Sequence, residues 1–77
     1  DGVDYKSELQ ELIQAREQQT PTYHLVEATG PDHAPRFTVE VRLGDRVLGR
    51  GSGNSKKAAE SEAARSALTK IPPSFTA

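Results

Sequence analysis

The stretch GSGNSKKAAESEAARSAL, Gly51 to Leu68, decides how this chain folds. Asn54 and Ser55 are both N-cap residue types, and the alanine-rich run behind them favours a helix. The spacing predicts that helix from about Ser55 to Ile71, where Pro72 and Pro73 stop it. Its inward face reads Ala59, Ala63, Ala67, Leu68 and Ile71. A stripe of alanines lets a helix axis lie close to its neighbour, so the chain should supply a sheet with an apolar face. Lys56 and Lys57 fall in the first turn, which is the unfavourable end for a cation. Unpaired N–H groups and the macrodipole make that end partly positive, so a lysine there costs roughly 0.3–1 kcal/mol. An incoming anion reverses the sign.

Working back from this helix, RVLGRGSG is joined by the short turn Gly44-Asp45 to FTVEVRL, the pattern of a β-hairpin. FTVEVRL alternates along its length, with Phe37, Val39, Val41 and Leu43 on one face and Thr38, Glu40 and Arg42 on a solvated one. TGPDHAPR, with a glycine, two prolines and an aspartate, reads as an exposed loop. TYHLVEA before it has the composition of a strand. DYKSELQELIQAREQQ opens with Asp4 as an N-cap and carries Tyr5, Leu9, Leu12 and Ile13 on one stripe. It predicts an amphipathic helix over about 4–18, ended by Pro21. The order is α-β-β-β-α, an α+β fold with a three-stranded antiparallel sheet and two helices packed on one face.

Composition bounds the rest. At 77 residues and 34% hydrophobic content, one small domain is the expectation, and without cysteine no disulfide or thiolate site holds it together. No apolar run approaches the roughly 20 residues of a membrane helix, and no signal-like segment opens the chain, which points to a soluble, cytoplasmic protein. The net charge of −1 hides an uneven distribution. Arg46 to Ala59 carries four basic residues and no acid, against six basic residues and eleven acids elsewhere. GRGSGNSKK fits neither the P-loop nor the GxGxxG pattern, and His24 and His33 lack the convergent spacing of metal ligands. Tyr5, Tyr23 and Phe37 read as core rather than as a platform for stacking bases.

Taken together, these residues resemble the double-stranded-RNA-binding domain almost from end to end. The resemblance rests on LQEL in the first helix and on PTYHLVEATGPDHAPRFTVEVRL with its spaced Pro, Tyr, Gly-Pro, His and Phe-x-Val-x-Val. It rests also on GSGNSKKAAESEAARSAL with its Gly-x-Gly-x-Ser-Lys-Lys and Ala-Ala spacing. The opening DYKSELQELIQ is most similar to the version at the C-terminus of bacterial ribonuclease III. This implies the end of a linker at 1–3, the domain at 4–71 and a tail at 72–77.

The resemblance also implies a site made of three patches. Gln10 and Gln14, one turn apart with Glu11 beside them, would meet 2′-hydroxyls in the shallow RNA minor groove. His33 and the backbone around Gly30 and Pro31 would reach a second minor groove. Lys56 and Lys57, helped by N–H groups near Asn54 and Ser55, would meet phosphates across the major groove between. Many members carry a further basic residue where this chain has Glu60. Here Glu60 stands one turn after Lys56, where it is expected to hold that side chain for roughly 0.2–0.5 kcal/mol. No catalytic residue, metal site or cofactor is implied for this chain. The implied partners are double-stranded RNA and an upstream nuclease domain of a parent enzyme using Mg. A protein-interaction or dimerisation module of the same fold, and a stand-alone RNA adaptor, fit the same elements.

Overall fold

A computed structural model describes residues 4–71. The linker and tail expected at 1–3 and 72–77 lie outside the described residues. The elements are α1 (Tyr5–Glu17), β1 (Thr22–Thr29), β2 (Arg36–Leu43), β3 (Arg46–Gly53) and α2 (Lys56–Lys70). The strands form one antiparallel sheet in the order β1-β2-β3. This is the predicted α-β-β-β-α arrangement.

The Asp4 carboxylate caps α1 by accepting from the Ser7 backbone N–H at 3.2 Å and the Ser7 hydroxyl at 2.7 Å. Those bonds favour the ionised form and hold its carboxyl below the ordinary 3.8. The helix ends ahead of Pro21. Gln18 turns into the left-handed region at φ 55° and sends its N–H back to the Gln14 carbonyl at 3.0 Å. In the β2–β3 hairpin Gly44 takes the positive φ of 61°.

The core gathers Leu9 and Ile13 from α1, Val39, Val41 and Leu43 from β2, and Ala59, Ala63, Ala64 and Ala67 from α2. Tyr5, Tyr23, Phe37, Leu48, Leu68 and Ile71 pack around it partly buried. Ala64 falls outside the predicted stripe yet is fully buried. It lies one turn from Glu60, whose carboxylate reaches α1, so α2 is covered on a second side by the first helix. The alanine stripe is answered on the sheet by glycines. A Cβ on Gly49 would meet the Ala63 carbonyl oxygen and the Ala67 nitrogen, each at 2.6 Å, and one on Gly51 would run into the backbone of Glu62 and Ala63. Small residues on both partners bring α2 down onto β3.

The far face of the sheet is less solvated than its alternation suggests. Thr38 is buried and shares a 2.9 Å hydrogen bond with Ser52 directly across on β3. The Glu40 side chain is only 16% exposed because Arg42 lies along it at 2.9 Å and Arg50 at 3.7 Å. Cross-strand pairing, invisible in the alternation of one strand, shields this face.

Candidate nucleic-acid interface

Ser55, in extended backbone, is the residue that caps α2. Its hydroxyl oxygen accepts the Ala58 N–H at 3.0 Å. Asn54 precedes the cap. Lys56 and Lys57 open the helix exposed to solvent, with no acid in its first turn. Among the described residues no carboxylate pairs with either lysine. Glu62, further along the helix, pairs with Arg65 at 3.6 Å.

The four-cation run of the sequence is therefore not one patch. Arg46 pairs with Glu17 of α1 at 3.5 Å, and Arg50 with Glu40 on the far face of the sheet. The register shift opposite Val41 and Arg42 breaks the alternation between Arg46 and Arg50, and each is held by a carboxylate on a different element. The expected Lys56–Glu60 contact is replaced as well. Glu60 accepts from Lys6 of α1 at 2.6 Å, and the Lys6 ammonium lies 4.8 Å from the centre of the Tyr23 ring. Glu60 turns that way because α1 brings a cation to its flank of α2. Burial, with the Glu60 and Asp4 carboxylates nearby, pushes the Tyr23 hydroxyl up to about 12, and that hydroxyl is buried without a hydrogen-bond partner.

On α1, Gln10, Glu11 and Gln14 are exposed on the side opposite the buried Leu9 and Ile13. They line one shallow depression together with Ser7. Sequence reasoning left Ser7 out, although positions 7, 10, 11 and 14 form one helical stripe that would have found it. In the loop between β1 and β2, Gly30 adopts φ 89°, and a Cβ there would meet the Ala34 carbonyl oxygen at 2.5 Å. The Ala34 N–H closes the loop onto the Pro31 carbonyl at 3.0 Å, so Asp32 and His33 stand exposed at its tip. The loop and the start of α2 share one end of the sheet. Phe37, just past the loop, pairs with Gly53, and a Cβ on Gly53 would touch the Ala58 side chain at 2.8 Å. Lys6–Glu60 ties α1 to that end.

This geometry places two exposed cations at a helix N-terminus, a glycine-built loop beside them and a polar helix stripe joined to both. The chain belongs to the double-stranded RNA binding motif family, whose model matches residues 5–71. It is similar to Ribonuclease 3 of Roseiflexus sp. (strain RS-1), with 59% identity over 66 residues covering 86% of this chain and 28% of that protein. Ribonuclease 3 of Dehalococcoides mccartyi (strain ATCC BAA-2266 / KCTC 15142 / 195) is 52% identical over 76 residues, covering 99% of this chain and 32% of that protein. The chain thus spans about a third of the length of these relatives. Among solved structures it resembles Dicer from Pichia stipitis, with TM-score 0.71 and 38% identity over 86% of this chain and 32% of that one. It also resembles the second double-stranded-RNA-binding domain of DRB4, with TM-score 0.62 and 38% identity over 88% of this chain and 94% of that one.

Among the described residues no helix is long and apolar enough to cross a membrane, and no group of three or more His, Asp or Glu side chains converges on a point.

Proposed function

We propose that this chain binds double-stranded RNA by its A-form shape, as the RNA-binding domain of a ribonuclease III-type endoribonuclease. The observation that carries this reading is the exposed pair Lys56 and Lys57, set at the positive end of α2 with no acid in the first turn. That arrangement is unfavourable in the free chain and favourable against a phosphate. The two lysines and the N–H groups at the start of α2 meet phosphates across the major groove. Gln10, Glu11 and Gln14 contact 2′-hydroxyls in one minor groove, and His33 with the Gly30–Pro31 backbone contacts the next.

In the parent protein, an upstream domain cuts the duplex in the cytoplasm with Mg held by its own carboxylates, and this domain positions the RNA. Family membership and the greater length of the Ribonuclease 3 relatives support the part of this reading that makes the chain one domain of a longer ribonuclease. The test compares RNA and DNA duplexes of one sequence, about 16 base pairs or longer, by gel shift. RNA should bind far more tightly, with weak dependence on sequence. Equal affinity for the two would sink the minor-groove assignment.

A further inference from the structure

We propose that the Lys6–Glu60 ion pair is a positioning device for duplex recognition, setting the spacing between the contact stripe of α1 and the lysine-bearing first turn of α2. The inference deepens the RNA-binding reading above and rests on it. The two residues are 54 positions apart, so their 2.6 Å contact constrains tertiary structure alone. Each member stands one turn from a residue assigned to RNA: Lys6 before Gln10, and Glu60 after Lys56. The Lys6 ammonium also sits 4.8 Å from the centre of the Tyr23 ring on β1, so α1, α2 and the sheet converge on one side chain.

Two features make this a device for spacing rather than for stability. The Lys6 and Glu60 side chains are 42% and 28% exposed, and ion pairs so open to water add little to folding. Meanwhile α1 sends only Leu9 and Ile13 into the buried core. Those two fix the helix to the core at its middle; at its N-terminal half Tyr5 packs partly buried beside the core and the ion pair ties the helix directly to α2. An A-form duplex presents its minor groove and the phosphates of the adjoining major groove at a set separation, so a protein reading both needs its own two patches held at that separation. Lys6 also neutralises the one carboxylate that follows Lys56 on its own stripe. Neither residue touches RNA in this scheme.

The test uses the chain itself and an RNA duplex of about 20 base pairs, long enough to span the site. Binding of wild type, Glu60→Gln, Lys6→Gln, Lys6→Arg and the charge swap Lys6→Glu with Glu60→Lys is measured by anisotropy at several salt concentrations, beside a thermal melt of each. Glu60→Gln and Lys6→Gln should still melt cooperatively near the wild-type temperature while binding about fivefold more weakly, the scale of coupling between residues in contact. The slope of log affinity against log salt should stay at the wild-type value, because no phosphate contact is lost. Lys6→Arg should bind as wild type, and the swap should recover most of the loss. Glu60→Gln binding as well as wild type, or more tightly, would overturn the proposal, showing Glu60 to be only an acid beside the phosphates. A folded swap variant that stays as weak as the single variants would overturn it too, as would losses that follow the melting temperature. Lys56→Ala in the same assay reports on the underlying reading. If the wild type binds the duplex and Lys56→Ala weakens it, a negative result for the ion pair counts against the positioning role alone. A wild type that fails to bind overturns both.

Discussion

Lys56 and Lys57 occupy the end of α2 where a cation is least welcome, and both are exposed. Replacing either with Ala removes an unfavourable charge and no buried surface, so the melting temperature should hold or rise slightly. Duplex RNA affinity should fall sharply, with the slope of log affinity against log salt flattening by about 1 for each lysine removed. Titration of RNA binding over a salt series, beside a melt, checks both. Weaker binding with an unchanged slope would assign the lysines to the fold instead. A second residue-scale prediction concerns Asp4. Its hydrogen bonds to Ser7 lower its folded-state value below 3.8, so its contribution is complete above that pH and fades as pH falls through the lowered value. Asp4→Ala should therefore melt below wild type at neutral pH, and the gap should narrow as pH drops beneath 3.8. A gap that stayed constant into acid would mean the carboxylate charge is not what caps α1.

At the scale of elements, the contact of α2 with β3 depends on missing side chains. A Cβ on Gly51 would strike the backbone of Glu62 and Ala63, which has no rotamer to change, so Gly51→Ala must push the helix off the strand. The cost should be about 1–3 kcal/mol or more, as for other overpacked cores, read as a lowered midpoint in urea. Because the same helix carries Lys56 and Lys57, RNA affinity should fall with it. An unchanged midpoint would show that α2 does not lie this close. The N-cap of the same helix is worth less: Ser55→Ala removes the acceptor for the Ala58 N–H and should cost about 1 kcal/mol.

At the scale of the whole molecule, the proposed function assigns recognition to this chain and cleavage to another domain. Among the described residues no group of three or more His, Asp or Glu side chains converges on a point, and a divalent ion that cuts RNA is held by clustered carboxylates. The purified chain should bind a long RNA duplex and leave it intact with Mg or Mn present, as a denaturing gel would show. Metal-dependent cutting by a pure sample would overturn the assignment of this chain as a binding domain. The same reasoning makes affinity depend on the shape of the duplex: extending the RNA beyond about 16 base pairs should add sites without changing the affinity of each.

The sequence by itself determined the order and type of the elements. The Asp4 cap, the alternation from Phe37 to Leu43, the Gly44-Asp45 turn and the alanine stripe of α2 are all local signals, since backbone preference and side-chain period act within a few residues. The positions of Lys56 and Lys57 at a helix start were legible for the same reason. What tertiary structure alone decided is which distant groups meet. Arg46 and Arg50 look like part of one basic run, yet pairing with Glu17 and Glu40 sends them elsewhere. Glu60 looks like a partner for Lys56, yet takes Lys6. Thr38 looks solvated, yet is covered by the strand beside it. Period and propensity carry no information about a partner on another element, because that choice is made by the close approach of α1, α2 and the sheet.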